Sequence, residues 1–181
     1  MLARVGVELV VRASDVDETQ HAGEAPRAYV CRVAAAKAEA CPRGANDWVL
    51  AADTIVELDG AVFGKAADAA EATAMLRCLA GRTHTVTTAV RLLGPAVTRE
   101  LVITSEVDLV DADDQLVADY VGSGEWAGKA GAYAVQGIGA ALVRAVRGSI
   151  TNVIGLPLAE VVALLRETGA GDVALRRGLP A

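Results

Sequence analysis

The stretch Val49–Lys65, Val-Leu-Ala-Ala-Asp-Thr-Ile-Val-Glu-Leu-Asp-Gly-Ala-Val-Phe-Gly-Lys, constrains the fold more than any other part of the chain. Its first residues, 49–52, are a short apolar run with the character of a buried strand, which delivers Asp53 and Thr54 at its end. Residues 55–58 and 61–63 then flank Asp59-Gly60, a pair suited to a tight two-residue hairpin turn. Such a hairpin returns Gly64 and Lys65 towards Asp53, so that a carboxylate and an ammonium can face one anionic ligand. The same residues also fit a surface aspartate and a solvated lysine. Nothing local separates the two readings.

A chain of 181 residues is of single-domain size and can bury a proper core. Hydrophobic residues make up 53% of it but aromatic ones only 3%, so Val, Leu, Ile and Ala must build that core. No apolar run is long enough to span a bilayer, and the N-terminus lacks the pattern of a secretory leader, which makes the cytoplasm the expected compartment. Cys31, Cys41 and Cys78 form no C-x-x-C pair and leave an odd count, as in a reducing environment, with Cys31 and Cys78 expected to pack inside helices. His21 and His84 are too few and too far apart for a zinc site. A net charge of −6 argues against nucleic-acid binding, so a polyanionic ligand would need local lysines and a divalent cation.

Residues 1–5 read as the tail of a helix closed by Gly6, and residues 8–12 as a short strand. Ser14-Asp15-Val16-Asp17-Glu18-Thr19 follows. Three acids within four residues suit a solvated loop, or a metal site, since Mg²⁺ takes one or two carboxylates plus substrate phosphate. A helix is expected from Pro26 to Cys41, with Tyr29, Val33 and Ala36 on its apolar side and Lys37 near its end. Asp68 with Glu71 marks the start of a second helix, closed by Gly81. Residues 84–93 and 97–110 read as an antiparallel pair of strands, and 113–121 as a short helix. Strands are expected over 132–136 and 140–146, and a last helix over 157–168. Helices alternating with buried strands, then hairpins, predict a three-layer α/β domain with a mixed sheet.

No one motif is decisive, but their order is specific. Ser14-Asp15-Val16-Asp17-Glu18-Thr19, Ala52-Asp53-Thr54-Ile55-Val56 with Gly64-Lys65, Leu79-Ala80-Gly81-Arg82-Thr83-His84, Gly128-Lys129-Ala130-Gly131-Ala132-Tyr133-Ala134-Val135-Gln136-Gly137 and Asn152-Val153-Ile154-Gly155-Leu156-Pro157-Leu158 stand in one chain. Together they resemble the Maf family of nucleotide pyrophosphatases, over residues 2–166.

The resemblance implies an α/β fold related to inosine triphosphate pyrophosphatases, and hydrolysis of a nucleoside triphosphate to the monophosphate and pyrophosphate. It assigns the acid/base carboxylate to Asp53, a metal-binding role to Glu18 with Asp53 as a rival second ligand, phosphate contacts to Lys37 and Lys65, and base contact to Gln136. Thr54 falls on a position tied to substrate choice. The cofactor it implies is Mg²⁺ or Mn²⁺, and a homodimer is plausible for such a fold. The wording around Gln136 resembles the branch that takes dTTP and UTP: a carboxamide can accept from N3–H of uracil or thymine and donate to a neighbouring carbonyl.

The family's opening strand and Ser-x-Ser-Pro-Arg-Arg phosphate loop have no counterpart in this chain, so Met1 is expected to be an internal start. Without that loop, a member that binds nucleotide or a division partner without turnover is the alternative. A branch acting on modified purine nucleotides such as 7-methyl-GTP is the other, and the Gln136 segment disfavours it.

Overall fold

The computed structural model describes residues 1–170. Helix α1 spans Pro26–Ala40, β1 Val49–Leu58, β2 Ala61–Phe63, α2 Ala69–Leu79, β3 Thr83–Leu93 and β4 Thr98–Leu109. They are followed by α3 at Asp114–Gly122, β5 at Val143–Arg147, α4 at Ile150–Val153 and α5 at Leu158–Thr168. The five strands form one sheet in the order β2-β1-β3-β4-β5. Among the described residues no helix is long and apolar enough to cross a membrane.

Strand alternation sorts the side chains of β1 between two layers. On one face, Val30 and Ala34 of α1 pack with Ile55 and Ala89, and Ala38 packs with Val49 and Leu93. On the other, Val161, Leu164 and Leu165 of α5 cover Val90 and Leu92. That same face carries the largest cluster, in which Val56, Leu58, Val86 and Val107 meet Leu76 and Leu79 of α2 and Val117 and Tyr120 of α3. Helices on both faces make the three-layer α/β arrangement that the sequence predicts.

Among the described residues the mixed sheet is not found. All four strand pairings are antiparallel. The physical reason lies in the connections: β1 turns into β2 through Asp59-Gly60, both at positive φ as a tight hairpin requires, and β3 turns into β4 through a short loop. The two tight turns account for the β1–β2 and β3–β4 pairs; β1–β3 and β4–β5 are antiparallel across longer connections that carry α2 and α3. β1 is also longer than expected, so Asp53 sits mid-strand opposite Ala89 rather than at an end.

Two expected strands are absent. Residues 8–12 have no regular structure, and Leu9, Val10 and Val11 are exposed. They line a groove of about 1040 Å³ together with Val49, Leu50, Ala51 and Ala52 of β1. Among the described residues β1 has a strand partner on its outer side only at Val56, Glu57 and Leu58. Residues 132–136 do not extend either, because Gly131, Ala132 and Gly137 all take positive φ. A 3₁₀ turn over Gly137–Leu142 replaces the start of the last strand. Cys78 is exposed rather than packed in a core.

The short helix α4 escapes the sequence pattern. Its Asn152 is fully buried, and Nδ2 donates to the Val86 carbonyl at 2.9 Å and to Ser105 Oγ at 3.0 Å. The Thr88 hydroxyl in turn donates to the Asn152 carbonyl at 3.2 Å, so a polar stitch joins α4 to β3 and β4.

Candidate active site

Four residues far apart in sequence converge beside the outer edge of β1. Lys37, on the last turns of α1, places Nζ 2.7 Å from Asp53 Oδ1 and 2.9 Å from Glu18 Oε1. Lys65, just past β2, stands 3.7 Å from the other oxygen of Glu18. Asp53 reaches Lys37 because both face the same layer: residues 49, 51, 53 and 55 of β1 point towards α1.

The acidic loop is fixed from α1. Arg32 forms a forked pair with Glu24 at 2.7 and 2.8 Å and also donates to the Thr19 carbonyl. Tyr29 donates its hydroxyl proton to the Glu18 carbonyl at 2.7 Å. The hydrogen bond from Arg32 is the main reason the Glu24 carboxyl falls to about 2. These contacts aim Glu18 at Lys37. Sequence reasoning assigns Tyr29 to packing alone, and nothing in its spacing distinguishes a helix-face tyrosine that holds a loop.

The electrostatics of the cluster are uneven. Burial raises Asp53 above the ordinary carboxylate range by more than Lys37 lowers it, with the neighbouring Glu18 charge adding to the rise. Burial works against the charge on Lys37, but its hydrogen bonds to Asp53 and Glu18 outweigh that and hold the ammonium protonated. Burial also pushes Glu18 up, yet Lys37 and Lys65 together bring it below its usual value. Asp53 is therefore the carboxylate best placed to take a proton, and Glu18 the one best placed to stay charged.

Thr54 and Gln136 lie elsewhere. Thr54 points to the opposite face of the sheet from Asp53, where its hydroxyl bonds that of Thr88 at 2.8 Å. Gln136 is exposed, at the head of the 3₁₀ turn. The segment that carries it is nevertheless tied to both regions. Ala130 bridges to Lys65, the Gly131 amide donates to the Gly64 carbonyl at 3.0 Å, and Gly131 lies directly against Val56 on the Thr54 face. Lys65 is thus the junction between the ionic cluster on one face and the glycine-rich segment on the other.

Three contacts that sequence reasoning misses hold this segment. Tyr133 and the buried His84 meet at 2.7 Å through the hydroxyl and Nε2. The Ala134 amide donates to the Tyr120 hydroxyl at 3.0 Å. Glu125 accepts from the amides of Ile138 and Gly139 at 3.1 and 2.7 Å. Each joins residues that no local spacing relates.

Among known families, the one described as Maf-like protein matches residues 1–168. The chain belongs to the Maf family. A protein of Anaeromyxobacter dehalogenans (strain 2CP-1 / ATCC BAA-258) named dTTP/UTP pyrophosphatase is 50% identical over 173 residues, spanning 93% of this chain and 88% of its own. One of Myxococcus xanthus (strain DK1622) with the same name is 48% identical over 170 residues, spanning 93% and 86%. Maf membership thus reaches from the first turn of the chain through α5.

Proposed function

We propose that this Maf protein is a nucleoside triphosphate pyrophosphatase that hydrolyses dTTP and UTP to the monophosphate and pyrophosphate. The observation that carries the reading is the single ammonium of Lys37 held between Asp53 and Glu18, with Lys65 at the rim. Support comes from relatives that bear that activity in their names at 48–50% identity.

The chemistry follows from charge. Cleaving the α–β anhydride requires a water aimed at phosphorus and positive charge where the phosphate oxygens gather negative charge. Lys37 and Lys65 supply that charge from two sides. Asp53, with its raised proton affinity, takes the proton of the attacking water. Glu18 keeps Lys37 protonated and oriented between turnovers.

Among the described residues no group of three or more His, Cys, Asp or Glu could cage a metal ion by itself. Glu18 and Asp53 meeting at one ammonium do fit a hard cation that takes one or two carboxylates and completes its shell with substrate phosphate. When bound there, Mg²⁺ or Mn²⁺ would polarise the phosphate oxygens.

The base belongs on the other side of the edge. A nucleotide lying across the outer edge of β1 at Asp53-Thr54 meets the ionic cluster with its phosphates and the face of Thr54 and the glycine-rich segment with its base. This accounts for Thr54 at a specificity position despite its pointing away from Asp53. Pyrophosphate release from dTTP, UTP and CTP with Mg²⁺, in wild type and Asp53→Asn, tests the reading. Release from dTTP and UTP that disappears in the variant supports it, and equal rates in the two proteins overturn it.

A further inference from the structure

The loop around Gln136 is held far more firmly than an exposed turn requires. Its neck closes where Gly139 lies against the Ala134 backbone, so tightly that a Cβ on Gly139 would overlap the Ala134 carbonyl oxygen. Both oxygens of Glu125 are used on this neck, one for the Ile138 amide and one for the Gly139 amide. Gly137 packs on the same carboxylate, where a Cβ would collide with Glu125 Oε1. Glu125 is itself held, because its amide donates to Ser123 Oγ at 3.2 Å and that hydroxyl donates to the Tyr120 carbonyl at 2.6 Å. On the other side of the loop, the Tyr120 hydroxyl accepts from the Ala134 amide. At the tip, Gln136, Gly137 and Ile138 face solvent.

We infer that Glu125 is a positioning residue for base selection: its carboxylate clamps two backbone amides and so fixes the direction in which Gln136 presents its carboxamide. This rests on the reading of Gln136 as the base contact. A carboxamide discriminates between bases only while its oxygen and nitrogen are held in register with the ring edge, since a freely turning one offers either group to either base. A carboxylate suits the clamp because it accepts two amide protons at once, and charge-assisted bonds of that kind are the stronger ones. Glu125 acts through Gln136 and has no part in the phosphate chemistry.

The test is calorimetric binding of dTMP and dCMP to the full chain, alongside pyrophosphate release from dTTP. The proteins are wild type, Glu125→Ala, Glu125→Gln, Gln136→Ala and the Glu125→Ala/Gln136→Ala double variant. Wild type should prefer dTMP, Glu125→Ala should lose about tenfold of that preference, and Glu125→Gln, which keeps one acceptor, should recover part of it. In the double variant Glu125→Ala should add nothing to the effect of Gln136→Ala. Retained preference in Glu125→Ala, additive losses in the double variant, or no preference in wild type would each overturn the inference. If Glu125→Ala does not fold, Glu125→Gln decides the matter, because its preference must fall part of the way. Wild type that prefers dTMP yet releases no pyrophosphate from dTTP defeats the hydrolytic reading and leaves the role of Glu125 standing.

Discussion

The two halves of the site are built on opposite principles. The ionic half uses side chains carried on or strapped to regular elements: Lys37 on α1, Asp53 on β1, and Glu18 on a loop tied to α1 by Arg32 and Tyr29. The glycine-rich half uses backbone, shaped by positive-φ glycines and pinned by Glu125, Tyr120 and Tyr133. Charge on rigid elements suits chemistry common to every nucleoside triphosphate. A shaped backbone suits the choice among bases, because it sets where a neutral carboxamide points. On the proposed reading, reaction and selection are therefore separable.

The sharpest way to break that separation is Asp53→Asn. It should cut kcat by on the order of 10²–10³-fold for dTTP and UTP alike, while the dTMP-to-dCMP binding ratio stays unchanged. A shift in that ratio would show that the halves are coupled. With Asp53 as the proposed base, burial that raises its pKa should move the acid limb of kcat/KM upward from where an ordinary carboxylate would put it, since the base must be deprotonated to act. A pH–rate profile checks this.

Acid should loosen the glycine-rich half first. Burial lowers His84 to about 4, so the folded protein keeps it neutral where the unfolded chain protonates near 6.5. The unfolded state then binds the extra proton, and stability falls as pH drops from 6.5 towards 4, by about 3 kcal/mol in all. Urea unfolding across that window should show the loss in wild type and a flatter dependence in His84→Gln.

Gly139→Ala drives a methyl into the Ala134 carbonyl, which should cost about 2 kcal/mol and reduce base preference more than kcat. Stability and substrate-panel measurements on that variant check both halves of the expectation. Lys65→Ala gives the smallest effect. Its side chain is mostly exposed, so removal should raise KM for dTTP by roughly threefold to tenfold, a screened interaction worth about 1 kcal/mol.

Most of the ionic half is legible in the sequence, and most of the glycine-rich half is not. Asp53, Glu18 and Lys65 lie in motifs visible in the sequence, whereas Lys37 reads locally as a surface lysine near a helix end and is singled out only by the family resemblance; the alternation of β1 with the length of α1 brings them together. The Asp59-Gly60 turn and the Asp68 cap likewise follow from local chemistry, with Asp68 accepting from the Glu71 amide at 2.8 Å. The segment over 132–136 reads as a strand because its apolar residues have that composition. Its backbone instead turns at Gly131, Ala132 and Gly137, with the Ala134 amide taken by Tyr120, the Tyr133 hydroxyl by His84 and the following amides of Ile138 and Gly139 by Glu125, and a single sequence does not reveal which distant side chains will make such contacts. Asn152 is the same case: a lone asparagine in an apolar stretch becomes the polar tie between α4 and the sheet.

Among the described residues, the outer flank of β1 ahead of Val56 has no strand beside it, so the backbone groups on that flank are not taken up in the sheet ladder. That flank and the exposed Val10 and Val11 line one groove, and an unpaired strand edge beside apolar side chains is the kind of surface to which an extended segment adds as a further strand.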